Sequence, residues 1–203
     1  MKKFDFNEIQ LRLNRVKPVL CPENNRKPAA VALILQQNGA GVELFFVQRA
    51  EYPDDPWSGD IAFPGGGFES VDCSLRATAE RETKEEVGLD LSAAAFLGRL
   101  SDIMGRSLPV RVSCFVYGLH KVAKPALSEE IKEAFWVPFD YLTAAQRQTS
   151  KTICFNGRTM QVPATWLYPD KPVLWGITYR LVNQFRYLLL DDVEPPDVYD
   201  LPL

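Results

Sequence analysis

The stretch Arg81-Glu82-Thr83-Lys84-Glu85-Glu86-Val87-Gly88-Leu89 decides how this sequence is interpreted. It consists of strong helix formers up to Gly88, a residue that suits a left-handed helix end. On a helix, Glu82, Glu85 and Glu86 stand at positions i, i+3 and i+4, so their carboxylates project from one face. Carboxylates this close repel one another unless a cation lies between them, and their oxygens suit Mg²⁺ or Mn²⁺. The stretch predicts a divalent metal site on a helix, with a solvated acidic face as the alternative.

A glycine-rich loop leads into this helix, which the composition places at about residues 74–87. The loop reads Gly59-Asp60-Ile61-Ala62-Phe63-Pro64-Gly65-Gly66-Gly67, a short strand that ends in a proline and three glycines. Glycines let the backbone approach a ligand closely and offer N–H groups or carbonyls beside the carboxylates. Arg81 precedes Glu85 by four residues, so we expect an ion pair that orients the ligand carboxylate. A glycine-rich loop followed by the glutamate helix is more specific evidence of a metal and ligand site than either feature alone.

These two stretches resemble the signature of the Nudix hydrolase family. That signature has Gly, five residues, Glu and seven residues before Arg-Glu-aliphatic-x-Glu-Glu-x-Gly-aliphatic. The second half matches here, except that Thr83 stands where an aliphatic residue is usual. Anchored on Gly67, the first acidic position falls on Cys73; anchored on Gly66, it falls on Asp72, with one extra residue before the arginine. We prefer the Gly66 anchor, because a subgroup that resembles coenzyme A pyrophosphatases has a similar lengthening.

That subgroup also has an Arg followed by Ser or Ala and then Gly-x-x-x-Phe-Pro-Gly-Gly, which Arg49-Ala50 and residues 59–66 resemble. Its second arginine would fall near Asp54, and the connecting loop is one residue longer here. The resemblance implies Mg²⁺- or Mn²⁺-dependent hydrolysis of a pyrophosphate bond in a nucleoside diphosphate linked to another moiety. Coenzyme A, cleaved to 3',5'-ADP and phosphopantetheine, is the substrate that the subgroup implies. ADP-ribose, nucleotide sugars and nucleoside triphosphates stay open, as do a nucleotide sensor without turnover and a structural protein.

The resemblance also implies roles for individual residues. The expected metal ligands are Glu82, Glu85, Glu86 and the carbonyl of Gly66, and Glu85 is also a catalytic candidate. A general base is expected in the loop before Phe135-Trp136-Val137-Pro138, with Glu130 as the first candidate and Glu129 as the second. Each of the two is equally well explained as an exposed loop acid. The substrate-binding candidates, each with an ordinary surface or packing role as the alternative, are Arg49, Trp57, Arg106 and Arg111.

The expected fold class is α/β (α+β), a Nudix-type α/β/α sandwich with a mixed sheet. Apolar spacing predicts a leading helix over about residues 6–20 and a final helix over 177–189, with a short helix near 141–146. Three prolines and five acids favour an extended tail over residues 191–203. The predicted strands are a hairpin of 29–36 and 42–48, then 94–100, 111–119, 134–139, 151–155 and 159–162.

Length and composition limit the remaining possibilities. At 203 residues, the chain is long enough for one core, so residues 1–203 are expected to form a single Nudix domain. A net charge of −3 provides no basic field for nucleic acid, so the expected partner is a small nucleotide. Four widely separated cysteines suggest reduced thiols, and no apolar run reaches membrane-spanning length. We therefore expect a cytoplasmic enzyme without nucleic-acid or membrane partners. A homodimer is the open alternative to a monomer.

Overall fold

The structure is a computed structural model that describes residues 4–22, 25–39, 41–53, 55, 57–106, 108–120, 124–155 and 157–190. The predicted tail at 191–203 lies outside the described residues. The helices are α1 (Phe6–Arg15), α2 (Leu75–Val87), α3 (Phe139–Thr143) and α4 (Gly176–Leu190). The strands are β1 (Lys27–Asn38), β2 (Gly41–Arg49), β3 (Ile61–Ala62), β4 (Gly65–Gly67), β5 (Ala95–Arg99), β6 (Ile103–Met104), β7 (Val110–Leu119), β8 (Ile131–Pro138), β9 (Gln148–Phe155), β10 (Arg158–Thr165) and β11 (Leu174–Trp175).

Strands β1 to β8 form one mixed sheet in the described part of the chain. Strands β1 and β7 run parallel at its centre, and its other pairings are antiparallel. The hairpin β1–β2 is paired only near its turn, and the two strands diverge beyond it. Strand β3 pairs with the end of β2, and β4 pairs with the start of β1. The glycine loop therefore lies in the opening between β1 and β2, which confirms the predicted mixed sheet and places the loop at its centre.

Helices cover both faces of this sheet because side chains alternate along β1. Ala30, Ala32 and Ile34 pack against α2 in one hydrophobic cluster, and the small alanines let the helix approach closely. Leu33 and Leu35 face the other way and join a second cluster with α1 and α4. That cluster takes from the two helices the buried side chains of Phe6, Ile9, Leu13, Leu181, Val182, Phe185 and Leu189. The layer order is helix, sheet, helix, so the α/β/α sandwich is confirmed.

Helix α2 begins and ends where its sequence predicts. Ser74 is the N-cap, and its side chain accepts a hydrogen bond from the Ala77 N–H at 3.1 Å. Gly88 adopts a left-handed conformation with φ of 69°, and its N–H donates to the Lys84 carbonyl. The helix is fastened to β7 by the buried Tyr117, whose hydroxyl donates to Glu80 at 2.9 Å. These contacts fix both the length and the rotation of the helix.

Helix α1 is shorter than predicted. It ends at Arg15, and Val16 is already extended, so the predicted end near residue 20 is wrong. Pro18 explains the difference, because a residue that precedes proline disfavours helical backbone angles. The chain beyond the helix is held from outside: the Val19 N–H donates to Ser101 Oγ and the Cys21 N–H donates to Asp102 Oδ2, both at 3.0 Å. Tertiary hydrogen bonds replace the turn of helix that spacing alone suggests.

A second, three-stranded antiparallel sheet contains β9, β10 and β11. The predicted pieces at 151–155 and 159–162 are confirmed, although both strands are longer. Asp60, which lies just before β3, accepts hydrogen bonds from Lys151 Nζ at 3.0 Å and Trp175 Nε1 at 2.8 Å. These bonds attach the second sheet to the loop that carries the glycines. The sequence did not predict β6 and β11, which have two residues each and show no periodicity.

Two other features bear on the environment of the chain. All four cysteines lie in the described residues, and none forms a disulfide. Burial raises the pKa of the Cys114 thiol. No helix in the described ranges combines the length and apolar character needed to cross a membrane.

Two buried threonines of α2 use their hydroxyls differently. Thr83, at the position where the Nudix signature has an aliphatic residue, donates to the Ala79 carbonyl one turn earlier at 2.7 Å. The Thr78 hydroxyl donates to Asp72 Oδ2, outside the helix, at 3.0 Å, which is shorter than its 3.3 Å distance to the Ser74 carbonyl. The Thr83 hydroxyl is thus satisfied locally, and its methyl group serves the packing that an aliphatic residue would provide.

We expect Thr83→Val to change the free energy of unfolding by less than about 1 kcal/mol, because the substitution removes a hydroxyl and leaves no buried group unpaired. Thr78→Val should lower it by about 1 to 3 kcal/mol, because it deprives the buried Asp72 of a donor. Urea unfolding of both variants checks the contrast. Equal destabilisation would contradict the local role of the Thr83 hydroxyl.

Candidate functional site

Glu86 is the least exposed carboxylate of helix α2, with a side chain 6% exposed. One oxygen accepts a hydrogen bond from the Gly65 N–H at 3.0 Å, and the other lies 3.6 Å from Arg49 Nη1. Burial raises its pKa to about 7; the Gly65 N–H and Arg49 act in the opposite direction, and the charges of Glu82 and Glu130 raise it further. A buried carboxylate with so little compensation is a group that a cation would stabilise.

Glu82 lies directly against the glycine loop. A β-carbon built on Gly66 would stand 2.5 to 2.7 Å from the atoms of the Glu82 carboxylate, closer than van der Waals contact permits. At Gly65, φ is 150° and a β-carbon would stand 2.2 Å from the Ala30 carbonyl oxygen. Only glycine therefore permits this approach at both positions. Burial also raises the pKa of Glu82, although Arg81 opposes the effect.

Arg81 connects the acids of the site. Its Nη1 atom lies 2.8 Å from Glu85 Oε2 and 3.0 Å from Glu82 Oε1. Its Nη2 atom donates to the Gly67 carbonyl at 3.1 Å. The expected pairing of Arg81 with Glu85 is present, and the same guanidinium also reaches Glu82 and the loop. Glu85 itself is 58% exposed, so it lies at the rim of the site.

Asp72 holds Arg81 in this position. Its carboxylate is 3% exposed and accepts hydrogen bonds from Arg81 Nε at 2.9 Å and Nη2 at 3.0 Å. Further bonds come from the Glu69 N–H and the Thr78 hydroxyl, both at 3.0 Å. The guanidinium of Arg81 holds the pKa of Asp72 well below its usual range. The acid counted from Gly66 thus supports the arginine, whereas Cys73, counted from Gly67, is exposed.

An open cleft of about 640 Å³ lies beside these carboxylates. One wall comes from the end of β2 and the loop after it, and the other from the loop that precedes β8. The lining residues are Arg49, Tyr52, Asp55, Ser128, Glu129 and Glu130. Glu86 reaches this cleft through its contact with Arg49, so the buried acid and the cleft form one site.

The structure brings both base candidates to the cleft, and their surroundings differ. Glu129 and Glu130 are exposed. The charge of Glu130 contributes to the raised pKa values of Glu82 and Glu86, for which burial is the main cause. For Glu129, the described contact is through its backbone carbonyl, which accepts from the Tyr52 hydroxyl.

The four substrate candidates are placed differently. Arg49 lines the cleft, and Asp55 Oδ2 orients it by accepting from Nε at 3.0 Å and Nη2 at 2.9 Å. Trp57 is 41% exposed, Arg106 is exposed, and neither belongs to the described residues that line the cleft. Arg111 donates to the Cys21 carbonyl at 2.8 Å, so its guanidinium supports the segment that follows α1. The structure therefore brings Arg49 alone of these four into the cleft.

Three residues of the cleft were not found from the sequence: Tyr52, Asp55 and Ser128. Tyr52 is 46% exposed, and Asp55 fixes Arg49. Ser128 Oγ is buried and has no hydrogen-bond partner among the described residues. No motif marks these residues, although Asp55 follows Arg49 closely enough in sequence to suggest an ion pair.

The donor chemistry of the site fits a hard divalent cation. Glu82 and Glu86 reach the glycine loop, Glu85 stands at the rim, and carboxylate oxygens are the ligands that Mg²⁺ and Mn²⁺ prefer. The described residues contain no group of three acidic, histidine or cysteine side chains arranged as a complete metal cage. This agrees with the engagement of Glu82 and Glu85 by Arg81, which would have to release them. The carboxylates of Glu82, Glu85 and Glu86 therefore fit a hard divalent cation by their chemistry, with Arg81 as the present partner of Glu82 and Glu85.

Comparison with known proteins agrees with this geometry. The profile of the NUDIX domain matches residues 25–153. The chain is 28% identical to the human mitochondrial coenzyme A diphosphatase NUDT8 over 90% of its own length and 78% of that protein. It is also 28% identical to the mouse peroxisomal coenzyme A diphosphatase NUDT7, over 92% and 80%.

The fold has matching solved structures as well. A MutT/nudix family protein from Enterococcus faecalis superposes with a TM-score of 0.54 at 13% identity, covering 93% of this chain and 76% of that one. At this identity the likeness concerns the fold alone. The NUDIX profile covers more than half of the chain, from the start of the mixed sheet through the site to the second sheet. The chain therefore belongs to the Nudix hydrolase family, as its glycine loop and glutamate helix predict.

Proposed function

We propose that this Nudix hydrolase cleaves the pyrophosphate bond of coenzyme A to give 3',5'-ADP and phosphopantetheine. The observation that carries hydrolysis is the buried Glu86 beside Glu82, Gly65 and the cleft. The choice of coenzyme A is supported by two relatives named coenzyme A diphosphatases, which align over about nine tenths of this chain. It is also supported by the resemblance of residues 49–66 to that subgroup.

The metal is proposed to be Mg²⁺ or Mn²⁺, since Nudix hydrolases generally use divalent ions. A bound ion would neutralise charge on the pyrophosphate and activate the attacking water. The residues proposed to hold it are Glu82, Glu85, Glu86 and the carbonyl of Gly66. Arg81, fixed by Asp72, keeps Glu82 and Glu85 in place until the ion competes for them. The arginine thereby limits the repulsion among the acids before binding.

Other residues act directly on substrate and water. Arg49 is proposed to bind a substrate phosphate, because Asp55 fixes its guanidinium in the wall of the cleft. Glu130 is proposed to accept the proton of the attacking water, with Glu129 as the second candidate and Glu85 as the third. Trp57, Arg106 and Arg111 stay predicted contacts for the outer parts of the substrate. None of the three is needed for the proposed binding of a phosphate by Arg49.

A substrate screen tests this function. The purified protein is incubated with Mg²⁺ or Mn²⁺ and, side by side, with coenzyme A, ADP-ribose, nucleotide sugars, dinucleoside polyphosphates and nucleoside triphosphates. Products are identified by mass. Preferential formation of 3',5'-ADP and phosphopantetheine supports the proposal. Preferred turnover of another compound would exclude coenzyme A as the main substrate and would leave pyrophosphate hydrolysis as the reaction. Binding without turnover would favour a nucleotide sensor.

We also infer that residues 1–203 act as one unit in the cytoplasm, with a monomer and a homodimer as alternatives. Helix α1 supports the single unit because it packs into the same hydrophobic cluster as α4 and the sheet. Four unpaired cysteines suit a reducing compartment. The named relatives are mitochondrial and peroxisomal, so cell fractionation is required. Light scattering on the purified chain decides the oligomeric state.

Gly66→Ala is predicted to weaken Mn²⁺ binding and to lower kcat by at least about tenfold with little loss of stability. The added methyl group must displace the Glu82 carboxylate, which is the movable end of a side chain. Mn²⁺ affinity is measured by electron paramagnetic resonance, and kcat with the preferred substrate of the screen.

Gly67→Ala is the matched control. A β-carbon there meets nothing within 4 Å, and neither Gly66 nor Gly67 has a positive φ. The control should retain Mn²⁺ affinity and turnover. Equal losses in both variants, or no loss in Gly66→Ala, would contradict the position assigned to Glu82.

Glu86→Gln is predicted to lower metal-dependent turnover by at least about a hundredfold while the fold persists. A pKa near 7 means that the ionised form is disfavoured in the folded state, so metal-free stability falls as pH rises from about 4.5 to 7 and stays reduced above it. The neutral amide removes this penalty and can still accept from the Gly65 N–H. The melting temperature of the variant in EDTA at pH 8 should therefore equal or exceed that of the wild type.

Glu80→Gln makes the same change on the same helix, where Glu80 faces Tyr117. It should retain turnover. Wild-type turnover in Glu86→Gln would remove Glu86 from the site, and a lower melting temperature in EDTA would contradict the burial penalty.

A further inference from the structure

The loop that carries Glu130 is fastened to helix α2. We call residues 126–130 the Glu130 loop. The Ala126 N–H donates to the Val87 carbonyl and the Ser128 N–H donates to the Glu86 carbonyl, both at 2.9 Å. Carbonyls at a helix end have no partner within the helix, so these bonds satisfy them and tie the loop to the helix. The backbone that presents Glu86 thus also supports the Glu130 loop.

The opposite side of the loop is bound to the chain that follows β2. The Glu130 carbonyl accepts from the Ala50 N–H at 2.8 Å, and the Glu129 carbonyl accepts from the Tyr52 hydroxyl at 3.1 Å. Tyr52 is itself anchored, because its N–H donates to Ser58 Oγ at 2.9 Å. Of these four bonds to the loop, three join backbone to backbone. The fourth comes from a side chain, that of Tyr52.

The side chains of this loop have little other restraint. Glu129 and Glu130 are exposed and line the cleft, so their position depends on the bonds that hold the loop backbone. A nearby ion pair, Lys132 with Glu51 at 3.1 Å, is exposed and therefore contributes little restraint. The Tyr52 bond acts on the residue next to Glu130.

We propose that Tyr52 is a positioning residue, whose hydroxyl holds the Glu130 loop in place so that Glu130 stays in the wall of the cleft. This inference rests on the proposed function, in which Glu130 is the base. It assigns to Tyr52 a role exerted through Glu130. The ring of Tyr52 also lines the cleft, so direct contact with the substrate is the competing explanation that the experiment must separate.

The experiment compares wild type with Tyr52→Phe, Glu130→Gln and the double variant. Removal of one neutral hydrogen bond should lower kcat about two- to tenfold in Tyr52→Phe, with KM unchanged. In the Glu130→Gln background the same change should have no further effect, because the group that Tyr52 positions is then already disabled. Tyr179→Phe is the matched control, since its hydroxyl donates an exposed hydrogen bond to Gln148 at 3.3 Å, away from the residues that line the cleft. It should behave as wild type.

A second measurement does not depend on turnover. Hydrogen–deuterium exchange of the peptide that covers residues 126–131 should be faster in Tyr52→Phe than in wild type or Tyr179→Phe. Unchanged exchange in Tyr52→Phe would overturn the proposal. A rise in KM in Tyr52→Phe would also overturn it in favour of direct substrate contact. So would a fall in kcat that is equally large when Tyr52→Phe is made in the wild type and in Glu130→Gln. A wild type inactive on every compound would count against the proposed function, while the exchange result would still decide whether Tyr52 restrains the loop.

Discussion

The hydrogen bond from the Gly65 N–H to the buried carboxylate of Glu86 links the two halves of the site. It is possible because β1 and β2 diverge, which leaves space at the centre of the sheet for a loop without side chains. Helix α2 then approaches closely enough for Glu82 to lie on Gly66. The arrangement places negative charge where solvent is largely excluded. A bound cation would offset the cost that this arrangement imposes on the folded state.

Two arginines lie against these carboxylates and compensate part of their charge. Arg81 contacts Glu82 and Glu85 and is fixed by the nearly inaccessible Asp72. Arg49 stands near Glu86 and is fixed by Asp55. Each arginine thus has two kinds of acidic partner: one that fixes its guanidinium, Asp72 or Asp55, and at least one glutamate of α2 at the site. The structural acid determines where the guanidinium points, so the site acids face partners of fixed position.

The departures from the family signature have local physical explanations. Thr83 replaces an aliphatic residue and remains compatible with burial because its hydroxyl donates to the Ala79 carbonyl of the same helix. The acid that supports Arg81 is Asp72 rather than a glutamate, and Thr78 and the Glu69 N–H complete its hydrogen bonds. Neither departure alters the positions of Glu82 and Glu86 at the glycine loop. The two carboxylates therefore keep their places at the loop, with Asp72 and Thr78 as a modified support for Arg81.

The sequence alone determined the limits of α2, from Ser74 to Gly88, the pairing of Arg81 with Glu85, the order of the main elements and the family. Each of these depends on residues close in sequence, where helical spacing and capping act directly. Only the tertiary structure decided that Arg49 lines the cleft while Arg111 supports the segment after α1, and that Tyr52 reaches the Glu129 carbonyl. It also ended α1 at Arg15 and attached the second sheet through Asp60. These outcomes depend on contacts between segments far apart in the chain, and such contacts leave no periodic pattern in a single sequence.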